Sequence, residues 1–332
     1  MIRYLVQRLL LTIPTLIAIS IVTFVVIQLP PGDYLETLIS EAQATGEKAD
    51  LQRVEVLRQQ YGLDQPLWKQ YLLWVGGLLR GDLGYSFEYD RPVSTIIGER
   101  VALTVVVALG AVLFTWVVAF PIGIYSATHQ YSWLDHVLTF VGFLGLATPN
   151  FLFALVLMFV AFTYFGISVG GLFSPALQEA PWSAAKVLDL LKHLWIPVVV
   201  IGTSGTAAMI RRLRANLLDE LRKPYVVTAR AKGVPAWRAL LKYPLRIALN
   251  PFISDIGNLL PHLLSGAVVV SIVLSLPTTG PILLRALRAQ DMYLAGSFLM
   301  LLAVLTVVGV LISDVALAML DPRIRQGSGV SR

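Results

Sequence analysis

The residues best placed to do work lie in one basic stretch. It reads Arg211-Arg-Leu-Arg-Ala-Asn-Leu-Leu-Asp-Glu220, then Leu-Arg-Lys-Pro-Tyr225-Val-Val-Thr-Ala-Arg230-Ala-Lys-Gly233-Val-Pro-Ala-Trp-Arg238-Ala-Leu-Leu-Lys242. Segment 211–252 holds ten Lys/Arg against two acids, Asp219 and Glu220. Two short helical patterns meet at a break near Gly233. The first carries the small residues Thr228, Ala229 and Ala231, which leave a shallow face with accessible backbone. The second brings Trp237 and a basic set. The chemistry on offer is binding, not bond-making. A short helix, small on one side and flanked by charge, fits a cleft on another protein. A basic loop lying on anionic lipid fits the same residues. Residue chemistry alone leaves both open.

Catalytic constellations are missing. No Gly-x-x-x-x-Gly-Lys-Ser/Thr loop occurs, so the chain does not bind ATP in that manner. No His-Glu-x-x-His, Gly-x-Ser-x-Gly or EF-hand pattern is present. The absence of cysteine excludes disulfides, Cys-ligated metals and thiol nucleophiles, and only four histidines remain for a metal site. Charges at membrane depth are costly and mark function. The candidates are Asp255, His262 and Asp314. Asp255 and Asp314 fall within about two turns of the ends of their apolar runs, where a solvated or capped carboxylate is expected. His262 is deeper, and a hydrogen-bonded packing histidine is favoured over a proton relay. Were His262 or Asp314 a coupling site, the chain would be a self-sufficient ion-coupled carrier, a reading of a different class. That carrier would transport alone in liposomes.

The elements around these residues are apolar. Of 332 residues, 56% are hydrophobic and 14% charged, with mean hydropathy +0.73. Soluble domains carry about 25% charge. A spanning helix needs roughly 20 apolar residues. Six runs qualify: Leu9–Leu29, Val101–Ser126, Val137–Phe165, Leu194–Ile210, Phe252–Leu276 and Tyr293–Leu320. The first follows a basic flank, as a secretion signal would. It is followed by Pro30-Pro31-Gly32-Asp33 and not by a small-residue cleavage site, so it reads as an uncleaved helix. The expected fold is all-α, a polytopic bundle of six spanning helices.

Charge sets the expected orientation. The formal net charge is +6 and the pI about 9.5. In so apolar a chain this excess marks cytoplasmic loops and not nucleic-acid binding. Arg3 and Arg8, segment 211–252, and Arg323, Arg325 and Arg332 fall on one side of a six-helix path. Both termini are therefore expected in the cytoplasm. Segment 30–100, with seven basic and eleven acidic residues, lies opposite. Within it, Leu51–Tyr61 and Trp68–Leu79 read as short amphipathic helices, punctuated by Gly62 and Pro66. The expected parts are an arm and first span (1–30), an extracytoplasmic insertion (31–100), a five-helix core (101–320) and a tail (321–332).

The run Tyr225-Val-Val-Thr-Ala-Arg-Ala-Lys-Gly233, followed by Leu249-Asn-Pro251, resembles the cytoplasmic signature of bacterial ABC-importer permeases, in particular those of the peptide/nickel group. Other stretches agree: Pro31-Gly32-Asp33; Tyr61-Gly-Leu-Asp-Gln-Pro66 through Arg80-Gly-Asp-Leu-Gly-Tyr-Ser-Phe87; Gly266-Ala-Val-Val-Val270; and Asp321-Pro-Arg-Ile-Arg325. The resemblance runs nearly end to end.

It implies the type I ABC-importer permease fold in the bacterial inner membrane. Two permeases, usually similar but non-identical, would form the pathway. Two cytoplasmic ATPases would dock on the coupling helices, and an external solute-binding protein would deliver the substrate. ATP and Mg would belong to the partner ATPases, with no cofactor, catalytic residue or metal in this chain. Tyr225, Thr228, Ala229, Arg230, Ala231, Lys232 and Gly233 map onto the coupling motif. Segments 30–100 and 277–292 would meet the binding protein, with Tyr85, Thr278, Thr279, Gly280 and Arg285 as candidate contacts.

The sequence departs from the group at Val227, at Ser271, at Thr278-Thr-Gly280 and at Tyr243-Pro244. Group members import peptides, oligosaccharides, opines, nickel or glutathione. Peptide ranks first and oligosaccharide second; the missing cysteines and few histidines speak against nickel.

Overall fold

The computed structural model describes residues 2–29, 56, 59, 62, 64–166, 170–254 and 268–320. In chain order these form α1 (Ile2–Gln28), α2 (Leu67–Leu79), β1 (Tyr85–Ser86), β2 (Arg91–Pro92), α3 (Val93–Thr128), α4 (Trp133–Ala147) and α5 (Asn150–Phe165). There follow α6 (Ala184–Leu221), α7 (Pro224–Ala231), α8 (Ala236–Lys242), α9 (Pro244–Ala248), α10 (Asn250–Ser254), α11 (Val268–Val273), α12 (Thr279–Arg288) and α13 (Met292–Leu320). Among the described residues, the β-pair is the one departure from an all-α chain. Tyr85 pairs with Pro92 and Ser86 with Arg91, antiparallel. The turn passes through Asp90 at φ 50°, a conformation that Asp tolerates better than most residues. The Asp90 carboxylate accepts a 2.9 Å hydrogen bond from the Tyr85 hydroxyl.

Among the described residues, three helices are long and apolar enough to cross a membrane: Leu10–Gln28 of α1, α3, and Met292–Ile312 of α13. They correspond to the first, second and sixth expected runs. The third, Val137–Phe165, is corrected. It is two helices, α4 and α5, which meet at 102° and make a fourth crossing if they act as one span. The cause is Thr148-Pro149-Asn150. Thr148 is extended, with ψ 122°, as the residue before a proline prefers. Pro149 then starts α5 as its N-cap. The fourth run, Leu194–Ile210, lies inside the 38-residue α6, which continues without a break through Arg211, Arg212 and Arg214. Most of Phe252–Leu276 lies outside the described residues, with Asp255, Gly257 and His262. So do most of the expected helix Leu51–Tyr61, the Pro31–Asp33 motif and the tail 321–332.

The chain divides into two compact units. One comprises residues 104–277 and those from 309 onward. In it α3 and α6 pack closely: a Cβ on Gly202 would lie 2.6 Å from Phe114 Cδ1. Thr115 Oγ1 donates across this seam to the Gly202 carbonyl at 2.9 Å. Further along, Leu213, Leu217, Leu245, Ala248 and Phe252 bury one another, so α9 and α10 are fastened to α6. Each such buried Leu or Phe contributes about 1.5–3 kcal/mol.

The other unit comprises residues 2–103 and 278–308. Phe24, Trp74 and Met292 join α1, α2 and α13, and Tyr71 shares a 2.9 Å hydrogen bond with Ser20. A second cluster sets Val93, Ile96 and Ile97 against Ile282, Leu294 and Phe298. Helix α2 appears where Trp68–Leu79 was expected, but its outer side is apolar. Trp68, Leu72 and Leu79 are 66%, 57% and 84% exposed, a face suited to lipid or a partner and not to water.

Candidate functional site

The basic segment forms a helix–turn–helix hung from the end of α6. Helix α6 stops at Leu221, and Lys223 N-caps α7 in extended conformation. Pro224 opens α7 at N1, where a missing N–H costs nothing and the fixed φ suits the helix. The Tyr225 hydroxyl donates to the Glu220 carboxylate, tying the first turn of α7 back to α6. Burial, then the adjacent Glu220 charge, pushes the Tyr225 hydroxyl up to about 12, so it stays a donor.

Helix α7 ends where the sequence places a break. The Val234 amide donates to the Ala229 carbonyl at 3.2 Å and the Gly233 amide to the Arg230 carbonyl at 2.9 Å. This is the Schellman pattern, which requires a left-handed residue at Gly233. Its φ is +75°, and a Cβ there would meet nothing within 4 Å. The glycine is therefore needed for its backbone angle and not for space. Pro235 N-caps α8, and the Arg238 guanidinium lies 5.0 Å over the Trp237 ring.

One face of this pair is held and the other is open. Val226, Ala229 and Ala239 are 1%, 6% and 1% exposed and face inward. Val227, Thr228, Arg230, Ala231, Lys232 and Gly233 are all exposed. Among the described residues, neither Arg230 nor Lys232 has an acidic partner. Tyr225 is half-buried with its hydroxyl on Glu220, and five of the other six residues named from sequence lie on the open face. Ala229 does not: one helical turn from Val226, it packs inward. Glu220 and Val226, the anchors of the pair, were not singled out. A buried Val and Ala three apart is a signal that could have marked the inner face.

The external candidates lie in the other unit. Thr278, Thr279 and Gly280 are buried at the start of α12, and their placement leaves little for a partner to touch. Tyr85 is half-buried on β1. Arg285 is exposed, with its Nε 2.7 Å from Glu88 Oε1 and its guanidinium 5.4 Å over the Tyr89 ring. The sequence reading missed what positions them. Asp291 is fully buried. Its Oδ1 accepts from the Leu294 amide at 3.1 Å, as an N-cap of α13 would. Its Oδ2 accepts from Ser86 Oγ at 2.6 Å and from the Glu88 amide at 3.2 Å. Burial drives its carboxyl above the ordinary range, while those donors pull the other way. Gly84, at φ +81°, sits so close to Tyr293 that a Cβ would lie 2.3 Å from the ring. The polar residue before an apolar run marks Asp291 as a cap; nothing local points to Ser86.

Residues 119–326 match the family described as binding-protein-dependent transport system inner membrane component. Residues 1–108 match the N-terminal region of the same systems' membrane component. The chain is 34% identical over 326 residues to the oligopeptide transport system permease protein AppB of Bacillus subtilis (strain 168), covering 98% of this chain and 99% of that one. It is 31% identical over 340 residues to the dipeptide transport system permease protein DppB of Alkalihalophilus pseudofirmus, covering 98% and 100%. Against the DppB of Escherichia coli (strain K12) the identity is 29% over 341 residues, covering 98% and 99%. Motifs, helical build and end-to-end similarity agree: the chain belongs to the family of binding-protein-dependent transport system inner membrane components, as one of the ABC-importer permeases its motifs resemble.

Proposed function

We propose that this chain forms half of the translocation pathway of a peptide importer and receives the force of ATP binding through α7 and α8. The observation that carries this reading is the open face of Val227, Thr228 and Arg230–Gly233, held on its far side by Val226, Ala229 and Ala239. A docking element must present a surface and be unable to yield when pushed. The Tyr225–Glu220 bond and the Schellman turn fix both ends of α7. Arg230 and Lys232 supply charge at the rim, where steering and register are set. The partners are a second permease, two ATPase subunits and an extracytoplasmic binding protein, with both termini of this chain in the cytoplasm.

Peptide is the preferred substrate because the relatives that match end to end are named as oligopeptide and dipeptide permeases. Arg285 and Tyr85, held by the Asp291 contacts, are the surface residues offered to the binding protein. The test is ATP-dependent uptake in proteoliposomes holding this chain, its second permease and the ATPases. Labelled di- and oligopeptides with the cognate binding protein should accumulate; uptake by this chain alone, or of oligosaccharide in place of peptide, would overturn the assignment.

A further inference from the structure

We infer that the groove between α4 and α6 is a binding site for an anionic phospholipid. The two helices touch at one end and part at the other. A Cβ on Gly145 would lie 2.9 Å from Thr203 Cγ2, whereas one on Gly142 would meet Ala207 at an ordinary 3.7 Å. Beyond that point the helices leave a groove of about 360 Å³. Its walls are apolar, with Leu138, Gly142 and Phe143 on α4 and Ala207, Ile210 and Leu218 on α6. Two guanidinium groups also line it, from Arg211 and Arg214.

The two arginines differ. Arg214 is spent: its Nη2 lies 2.9 Å from Asp135 Oδ2, so that pair adds no net charge. Arg211 stacks 5.4 Å over the Phe143 ring and, among the described residues, has no acidic partner. It stands one residue past the apolar run Leu194–Ile210, so a bilayer crossed by that run would have its headgroups beside it. An apolar slot with one uncompensated cation at its mouth is complementary to an amphiphile with an anionic head. The acyl chain fills the slot and the phosphate meets Arg211. A second protein helix would need a carboxylate at that point and a much longer apolar face.

The test uses the full importer, purified with its partner subunits, and phosphatidylglycerol as the probe. Native mass spectrometry should show phosphatidylglycerol retained over phosphatidylcholine. Arg211→Gln should lower retention about fivefold, the loss expected for one basic residue near an anionic lipid. Ala215→Phe, on an exposed groove position, should lower it too by filling the slot. Should either variant assemble poorly, the native complex decides the matter with a photoactivatable phosphatidylglycerol. Labelling should fall on α4 and α6, and yield to unlabelled phosphatidylglycerol but not to phosphatidylcholine or inorganic phosphate. Equal retention of both lipids, retention unchanged in Arg211→Gln, competition by inorganic phosphate, or a protein crosslinked in the groove would overturn the proposal. Peptide uptake is a separate measurement, so failure here leaves the transport reading standing.

Discussion

The Asp291 carboxylate accepts a 2.6 Å hydrogen bond from Ser86 Oγ, joining positions 205 residues apart in the chain. With the Glu88 and Leu294 amides also bound, this one side chain fixes the β1–β2 hairpin to the start of α13. The Arg285–Glu88 ion pair sits on the same hairpin. Asp291→Asn keeps the size but turns one acceptor into a donor facing an amide. It should cost about 1–3 kcal/mol, the penalty of an unsatisfied buried group. Thermal unfolding of the purified variant checks this; an unchanged midpoint would contradict it.

The same residue gives a pH dependence with a fixed sign. Its raised pKa means the folded chain holds the proton more tightly than the unfolded one. Its contribution to stability therefore grows as pH falls through the raised value, and is complete below the ordinary 3.8. It is lost as pH rises. The difference in midpoint between wild type and Asp291→Asn should shift in the wild type's favour on acidification from neutrality. A shift the other way would refute the assignment.

Tyr225→Phe removes the side-chain hydrogen bond that ties α7 to the end of α6. It should lower stability by about 0.5–1.5 kcal/mol. The larger effect falls on coupling: peptide-stimulated ATP hydrolysis in the assembled importer should drop while assembly is kept. Full stimulation with this variant would mean that the tether does not transmit force.

Ala229 and Ala231 separate packing from docking. Ala231→Arg enlarges the open face and should abolish ATPase binding with membrane insertion and stability intact. Ala229→Arg forces a charge into a buried position, so it should destabilise the chain, by several kcal/mol if the charge stays unpaired. Pull-down of the ATPase alongside unfolding midpoints resolves the two. Equal behaviour of the pair would contradict the assignment of faces.

Much of this was legible from sequence. The helix, break and helix around Gly233 were visible because glycine and proline punctuate a basic, weakly apolar stretch. The α4–α5 bend was hidden because Val137–Phe165 is apolar on both sides of Pro149, and hydropathy does not register a change of direction. The inward turn of Ala229 was hidden because alanine is neutral to both faces; only Val226, one turn away, sets the phase. The Ser86–Asp291 contact was out of reach, since no local pattern links residues so distant. The α4–α6 groove depends on where two helices part, which composition does not encode.

Gly233 tests the geometry of the coupling turn. Its φ of +75° costs other L-residues roughly 1–2 kcal/mol, with Asn the best tolerated. Gly233→Ala should weaken coupling, and Gly233→Asn should restore part of it. Equal function in both variants would remove the turn from the mechanism.

On the function proposed for this chain, a nucleotide-driven partner grips the exposed face from Thr228 to Gly233. Single cysteines at Ala231 and Lys232, introduced into a chain that has none, can be crosslinked in native inner-membrane vesicles. The expected product is an adduct with the ATPase subunit whose yield changes on ATP binding. Adducts that never contain the ATPase, or labelling of both positions only from the periplasmic side, would contradict it.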